Sequence, residues 1–171
     1  MNIKVPLTTE GIYDAINSLL TYKDDLKYRT QDLVNRLGNL GLTVVSAMYS
    51  TAEYPGTNDV RVTVEFGENT CTIHANGQAV AFIEFGAGIN YPEGQYAGQV
   101  GALPHGMYGK HQGANPKGWA YYGEAGTGRV REIKPGLYRT KGNPPLNAFP
   151  ATVETIRDQV ETIVKEVFGN G

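Results

Sequence analysis

Few residues in this sequence stand at spacings that could support catalysis. His105 and His111 are six residues apart, and with His74 they could offer three nitrogen ligands to a zinc ion. No HExxH motif or closely spaced Cys/His pair accompanies them, so the pattern favours solvent-facing or loop-packing histidines. Cys71 alternates onto the same strand face as Ile73, which indicates a small buried hydrophobe rather than a nucleophile. We therefore predict no catalytic residue and no metal site.

Two glycine-rich stretches come close to phosphate-binding motifs without completing them. A P-loop would need Gly at position 104 and Ser or Thr at position 111, where the chain has Pro104 and His111. Both candidate dinucleotide fingerprints also fail, because Tyr91 and Arg131 occupy the place of the third glycine. The sequence therefore predicts no bound cofactor.

Glu84 is the one acid with an apolar neighbourhood, since it stands beside Phe82 and Phe85. A catalytic carboxylate would need a partner acid or base, and the sequence places none near it. No serine has a GxSxG-like setting. We expect that the chain is not an enzyme.

The 171 residues suit a single domain over residues 1–171, and 40% hydrophobic residues suffice for a modest core. The net charge of −2 is a cancellation, because residues 86–142 are basic while the segments on either side are acidic. The same middle segment holds most of the 22 glycines. The lone Cys71 excludes an internal disulfide, and neither a signal peptide nor the ~20 apolar residues of a membrane span are apparent.

Three groups of elements are predicted outside the middle segment. Residues 9–37 form a long amphipathic helix that Thr8 or Thr9 caps and that Gly38 with Gly41 ends, followed by a short helix over residues 40–52. The apolar residues along one side of the long helix are Ile12, Ile16, Leu19, Leu20, Leu26, Leu33, Val34 and Leu37. Strict alternation predicts a three-stranded antiparallel meander over residues 59–85.

A last helix is predicted over residues 148–168, with Asn147 as its cap, Pro150 in its first turn and Gly169 at its end. The two helices can then pack on a three- to four-stranded antiparallel sheet, which gives an α+β fold. Residues 86–142 interrupt this fold as a long Gly/Tyr-rich insertion loop.

Cations and aromatic residues are interleaved in that segment. The candidate contact residues are Lys110, Lys117, Trp119, Tyr121, Tyr122, Arg129 and Arg131. Such a mixture is typical of protein interfaces and also of single-stranded nucleic-acid sites, where bases stack on aromatic rings. A third alternative is that the aromatic rings fold back onto the sheet. Protein contact, nucleic-acid contact and self-packing therefore stay open.

Two short motifs carry a resemblance to a known family. The first ends the predicted meander as Ile-Glu-Phe-Gly-Ala-Gly and includes Glu84, Phe85, Gly86 and Gly88; the second precedes the last helix as Gly-Asn-Pro-Pro and includes Gly142, Pro144 and Pro145. In this order, the chain resembles the gene-product-ten-like minor structural proteins of long-tailed bacteriophages, above all those of phages and prophages of Gram-positive bacteria. The resemblance extends over about residues 9–168.

The resemblance implies a non-enzymatic protein of the virion neck or tail end, assembled in the bacterial host cytoplasm. Such proteins act in tail completion or head–tail joining as rings of copies around the DNA channel. The implied partners are further copies of the chain, neighbouring neck, head-closure, tail-terminator or tail-tube proteins, and DNA in the channel, with no membrane. The alternative is a small binding module that contacts nucleic acid through the basic aromatic loop.

Overall fold

The computed structural model describes residues 5–88 and 118–169. Helix α1 runs from Thr9 to Ser50, and the Thr8 hydroxyl caps its start by accepting a hydrogen bond from the Gly11 N–H at 3.1 Å. The long N-terminal helix is thus confirmed. The break predicted between residues 37 and 40 is wrong, because one helix continues through both predicted segments.

The glycines expected to end the helix lie inside it instead. Gly38 and Gly41 are buried, and a Cβ atom on Gly38 would stand 2.6 Å from the Phe66 ring. A Cβ atom on Gly41 would stand 2.5 Å from the tip of Ile73. These glycines therefore allow a hairpin to pack closely on α1. A glycine can either end a helix or make room for a neighbouring element, and the sequence does not show which of the two applies.

That hairpin consists of β1 (Arg61–Phe66) and β2 (Cys71–Asn76), paired antiparallel with Val64 opposite Ile73. Its alternate side chains are half-buried and exposed, as the period of two predicts. His74 lies on its exposed side.

The third strand of the predicted meander is wrong. Residues Val80–Phe85 form a short helix, α2, so Glu84 and Phe85 do not lie on opposite faces of a strand. The Asp59 carboxylate accepts hydrogen bonds from the N–H groups of Gln78 at 2.7 Å and Ala79 at 2.9 Å, which binds the start of α2 to the base of the hairpin. A short apolar run fits a buried helical turn as well as a strand.

Short strands on both sides of residues 89–117 build two further antiparallel sheets. Strand β3 (Ala87–Gly88) pairs with β7 (Gly142–Asn143). Strands β4 (Trp119–Tyr122), β5 (Val130–Lys134) and β6 (Leu137–Thr140) form a three-stranded sheet in the order β4-β6-β5. The described part of the predicted insertion loop is therefore a sheet, and the Gly/Tyr-rich loop is not confirmed.

Helix α3 runs from Ala148 to Phe168 and confirms the predicted C-terminal helix. The start of α3 lies near the end of α1. The last turn of α3 lies near the middle of α1, where Arg29 donates a hydrogen bond to the Val167 carbonyl at 3.2 Å. The core consists of buried residues at the end of α1, in and next to α2, and at the start of α3, namely Val45, Tyr49, Ala52, Ala79, Ile83 and Ala148. The architecture is α+β, with antiparallel sheets of two and three strands.

Among the described residues, no helix combines the length and the apolar character that a membrane crossing requires.

The contact between Asp59 and α2 predicts a pH dependence. The backbone N–H donors of Gln78 and Ala79 lower the pKa of the Asp59 carboxyl below its ordinary value of 3.8. The stabilisation is thus fully present above pH 3.8 and is lost as pH falls further, through the lower folded pKa. We expect Asp59→Asn to lower the urea midpoint at pH 7, with a difference from the unmodified protein that shrinks below pH 3.8.

Asp158→Asn, at an exposed position of α3, is the control and should leave the urea midpoint nearly unchanged at pH 7 and at pH 2.5. A difference between Asp59→Asn and the unmodified protein that stays constant from pH 7 to pH 2.5 would contradict this account.

Candidate functional site

The two sequence motifs meet at the start of α3. Oε2 of Glu84 accepts hydrogen bonds from the Ala148 N–H at 2.9 Å and the Tyr49 hydroxyl at 3.1 Å. Oε1 accepts one from the Phe149 N–H at 3.1 Å. Glu84 is only 3% exposed, so its carboxylate replaces water with three protein donors.

This arrangement is electrostatically favourable. The first N–H groups of a helix have no partner within the helix and carry a partial positive charge, which a carboxylate both satisfies and neutralises. Burial raises the pKa of the Tyr49 hydroxyl, and the neighbouring Glu84 carboxylate raises it further. Tyr49 therefore stays protonated and donates to Glu84 throughout the neutral pH range.

Asn147, predicted as the cap of α3, does not have that role. Its side chain makes no capping hydrogen bond, and its main chain is left-handed with φ of 54°, a conformation that Asn tolerates better than most residues. Its N–H donates to the Glu84 carbonyl at 3.2 Å. The cap comes instead from Glu84, 64 residues earlier in the chain.

Main-chain contacts complete the junction. Gly86 has φ of +72°, and a Cβ atom there would stand 2.6 Å from the Pro145 nitrogen, so no larger residue fits. The Asn143 side chain is 1% exposed and donates to the carbonyls of Phe82 at 2.9 Å and Pro144 at 3.1 Å. We call this contact of residues 84–88 with residues 142–149 the motif junction.

The sheet β4-β6-β5 contains the described part of the predicted contact residues. In its register, Ala120, Arg139 and Arg131 form one row, and Tyr122, Leu137 and Lys134 form another. Residues directly opposite each other share a sheet face, so these six form one side, which we call the basic face. The Lys134 ammonium lies 5.6 Å from the centre of the Tyr122 ring, within cation–π range.

The other side of the sheet is turned toward the residues that follow α1. The Tyr121 hydroxyl donates to the Pro55 carbonyl, and the Tyr121 and Tyr138 rings lie 5.9 Å apart. Thr140 is 2% exposed, and its hydroxyl donates to the Arg129 carbonyl at 3.2 Å. For Tyr121, the self-packing alternative therefore applies.

The structure thus separates the predicted contact residues. Tyr122, 71% exposed, and Arg131 lie on the basic face, while Trp119, 43% exposed, lies on the other side. The exposed Arg129 precedes β5. Lys110 and Lys117 lie outside the described residues.

Lys134 and Arg139, two further cations of the basic middle segment, join the basic face. Both are exposed, and neither forms an ion pair with another described residue. The alternation of Leu137, Tyr138 and Arg139 could have suggested a strand. Which strands pair with that strand, however, is known only from the register of the folded sheet.

The described residues contain no group of three His, Cys, Asp or Glu side chains that could hold a metal ion. Compared with protein-family models, curated proteins and solved structures, the chain matches none.

Removing the charge at the motif junction should loosen α3. Glu84→Gln keeps the shape, but an amide presents an N–H₂ group to one of the three donors, leaving a buried group unsatisfied at a cost of ~1–3 kcal/mol. The measurement is the free energy of unfolding from urea titration followed by circular dichroism.

Glu161→Gln provides the same chemical change at an exposed position of α3, where Glu161 pairs with the likewise exposed Lys165. We expect a loss of no more than ~0.5 kcal/mol there. Equal losses in the two variants would show that Glu84 does not stabilise α3 through its buried hydrogen bonds.

Proposed function

We propose that the chain is a structural protein of the head–tail connection of a long-tailed bacteriophage, acting in tail completion or head–tail joining as a ring-forming subunit. In this role it would not be an enzyme. It would be assembled in the bacterial host cytoplasm and would remain at the neck or tail end of the virion.

The motif junction is the observation that carries this proposal. The residues on which the resemblance depends are 54 or more positions apart in sequence, from Gly88 to Gly142, yet they form one contact. Glu84 binds the start of α3, Gly86 gives room to Pro145, and Gly88 pairs with Gly142. The two motifs therefore have a common structural purpose, which supports treating them as one signature of a shared fold.

Two surfaces suit an assembly protein. The basic face offers three cations and an exposed Tyr122 to a neighbouring protein or to DNA in the channel. Within the described three-stranded sheet, β4 and β5 are both edge strands, and an open edge can pair with another chain. A contact between an edge of one copy and a different surface of the next is the head-to-tail kind that closes into rings.

The proposal is tested by altering the genome that encodes the chain. Interrupting its coding sequence should yield filled heads and separate tails in electron micrographs, and supplying the unmodified chain from a plasmid should restore joined particles. Complementation with Arg131→Glu/Arg139→Glu should fail, while Arg61→Glu/Arg157→Glu, which changes two exposed arginines elsewhere, should succeed. Joined, infectious particles without the chain would refute the proposal.

Nucleic-acid binding is the second candidate, favoured by the distribution of charge on the basic face. This face carries three cations, Arg131, Lys134 and Arg139. The acidic residue of β5, Glu132, lies on the other side of the sheet, opposite Tyr138. Glu132 also accepts a hydrogen bond from the Gly136 N–H at 3.2 Å. Cations grouped in this way suit phosphate groups.

A salt titration of binding to a single-stranded oligonucleotide decides this second candidate. Each phosphate contact contributes a slope of roughly −0.7 to log K against log salt, so Arg131→Ala/Arg139→Ala should reduce the slope by roughly 1.4. Arg61→Ala/Arg157→Ala is the control for net charge. Equal slopes in the two double variants would exclude the basic face as the binding site.

A further inference from the structure

The first half of α1 extends beyond the elements that pack on the second half. Arg29 contacts the last turn of α3, and Lys27 pairs with Glu68 in the hairpin turn at 2.7 Å. Before residue 27, the apolar side chains of α1 remain open to solvent. Ile12, Ile16, Leu19, Leu20 and Leu26, which we call the apolar stripe, are 43–54% exposed.

The apolar stripe has the spacing of a coiled-coil seam. Ile12, Leu19 and Leu26 are seven residues apart, and Leu33, half-buried in the packed part of the helix, continues the series. Ile16 fills the intermediate position of the first heptad. Within the described part of the chain, the helix face that packs in the fold further along therefore continues as a seam with no partner.

We propose that the apolar stripe binds the same stripe of a second copy of the chain, with the two helices antiparallel. Ile12 and Leu26 are equidistant from Leu19, so a two-fold axis at Leu19 brings Ile12 of each copy against Leu26 of the other. Such a contact is self-complementary, as a two-fold interface requires.

Lys23 sets the direction of the pair. It occupies a seam position between Leu19 and Leu26, so parallel helices would place the two Lys23 ammonium groups opposite each other. In the antiparallel pair, each Lys23 lies opposite the small Ala15 of the other copy and can direct its ammonium group into solvent. The two helix dipoles then also oppose each other.

The available area suits a reversible dimer. The stripe with Tyr13 and Tyr22 at its margins gives seven apolar side chains about half exposed, or ~560 Å² per copy at ~80 Å² each. Two copies would bury ~1,100 Å², just below the ~1,200 Å² at the lower end of stable specific interfaces. Such a dimer would dissociate on dilution, and it is expected whether or not the phage role holds.

The test is the mass of the purified full chain in solution, by light scattering over a roughly hundredfold range of concentration. We expect twice the 18.6 kDa of one chain at high concentration and a shift toward 18.6 kDa on dilution. Leu19→Glu places two carboxylates at the two-fold axis and should remain at 18.6 kDa. Asn17→Glu adds the same charge at an exposed position away from the stripe and should dimerise normally.

Mixing supplies the decisive arm. Leu19→Glu and Leu19→Lys should each be monomeric alone and should form a mixed dimer when combined, because opposite charges then meet at the axis. Circular dichroism serves as the control and should show that both variants remain helical.

Four results would overturn the proposal: a monomer at every concentration, an oligomer that Leu19→Glu does not affect, no mixed dimer, or a monomer that binds vesicles of anionic lipid through the stripe. None of these results bears on head–tail joining, which is measured on particles.

Discussion

The carboxylate of Glu84 connects the parts of this molecule that are far apart in sequence. It accepts hydrogen bonds from Tyr49 near the end of α1 and from the first turn of α3, while its own main chain belongs to α2. A buried carboxylate without donors would cost several kcal/mol, so the three donors must be held in place together. This requirement fixes the start of α3 against the end of α1 and orders the core around Val45, Ile83 and Ala148.

The same junction determines where the three-stranded sheet stands. Strand β7 pairs with β3 directly after α2, and β6 ends two residues before β7. The side of the sheet with Tyr121 and Thr140 is thereby turned inward, which leaves Arg131, Lys134 and Arg139 on the outward side. Helix α1 extends its apolar stripe in the other direction, so the proposed contact surfaces are supported from one small core.

Several features follow directly from the sequence. The apolar periodicity of α1 and α3 and the strict alternation of β1 and β2 predict these elements, because each pattern repeats over several turns or residue pairs. Alternation over residues 79–85 predicts a third strand, but residues 79–83 are all apolar, and a run of this kind fits the helical period as well as the strand period. Asp59 holds the residues just before α2 through the N–H groups of Gln78 and Ala79, and contacts across 19 and 20 residues are not visible in a local pattern.

The sequence alone determined that the chain has two amphipathic helices, an antiparallel hairpin and a basic, glycine-rich middle segment, since these depend on composition and on neighbours within a few residues. Only the tertiary structure decided that Gly38 and Gly41 stay within one helix, that Glu84 rather than Asn147 caps α3, and that Arg131 and Arg139 share a face. Each of these outcomes depends on which distant atoms come within hydrogen-bonding or van der Waals distance. That proximity arises only when the chain has folded around its buried carboxylate.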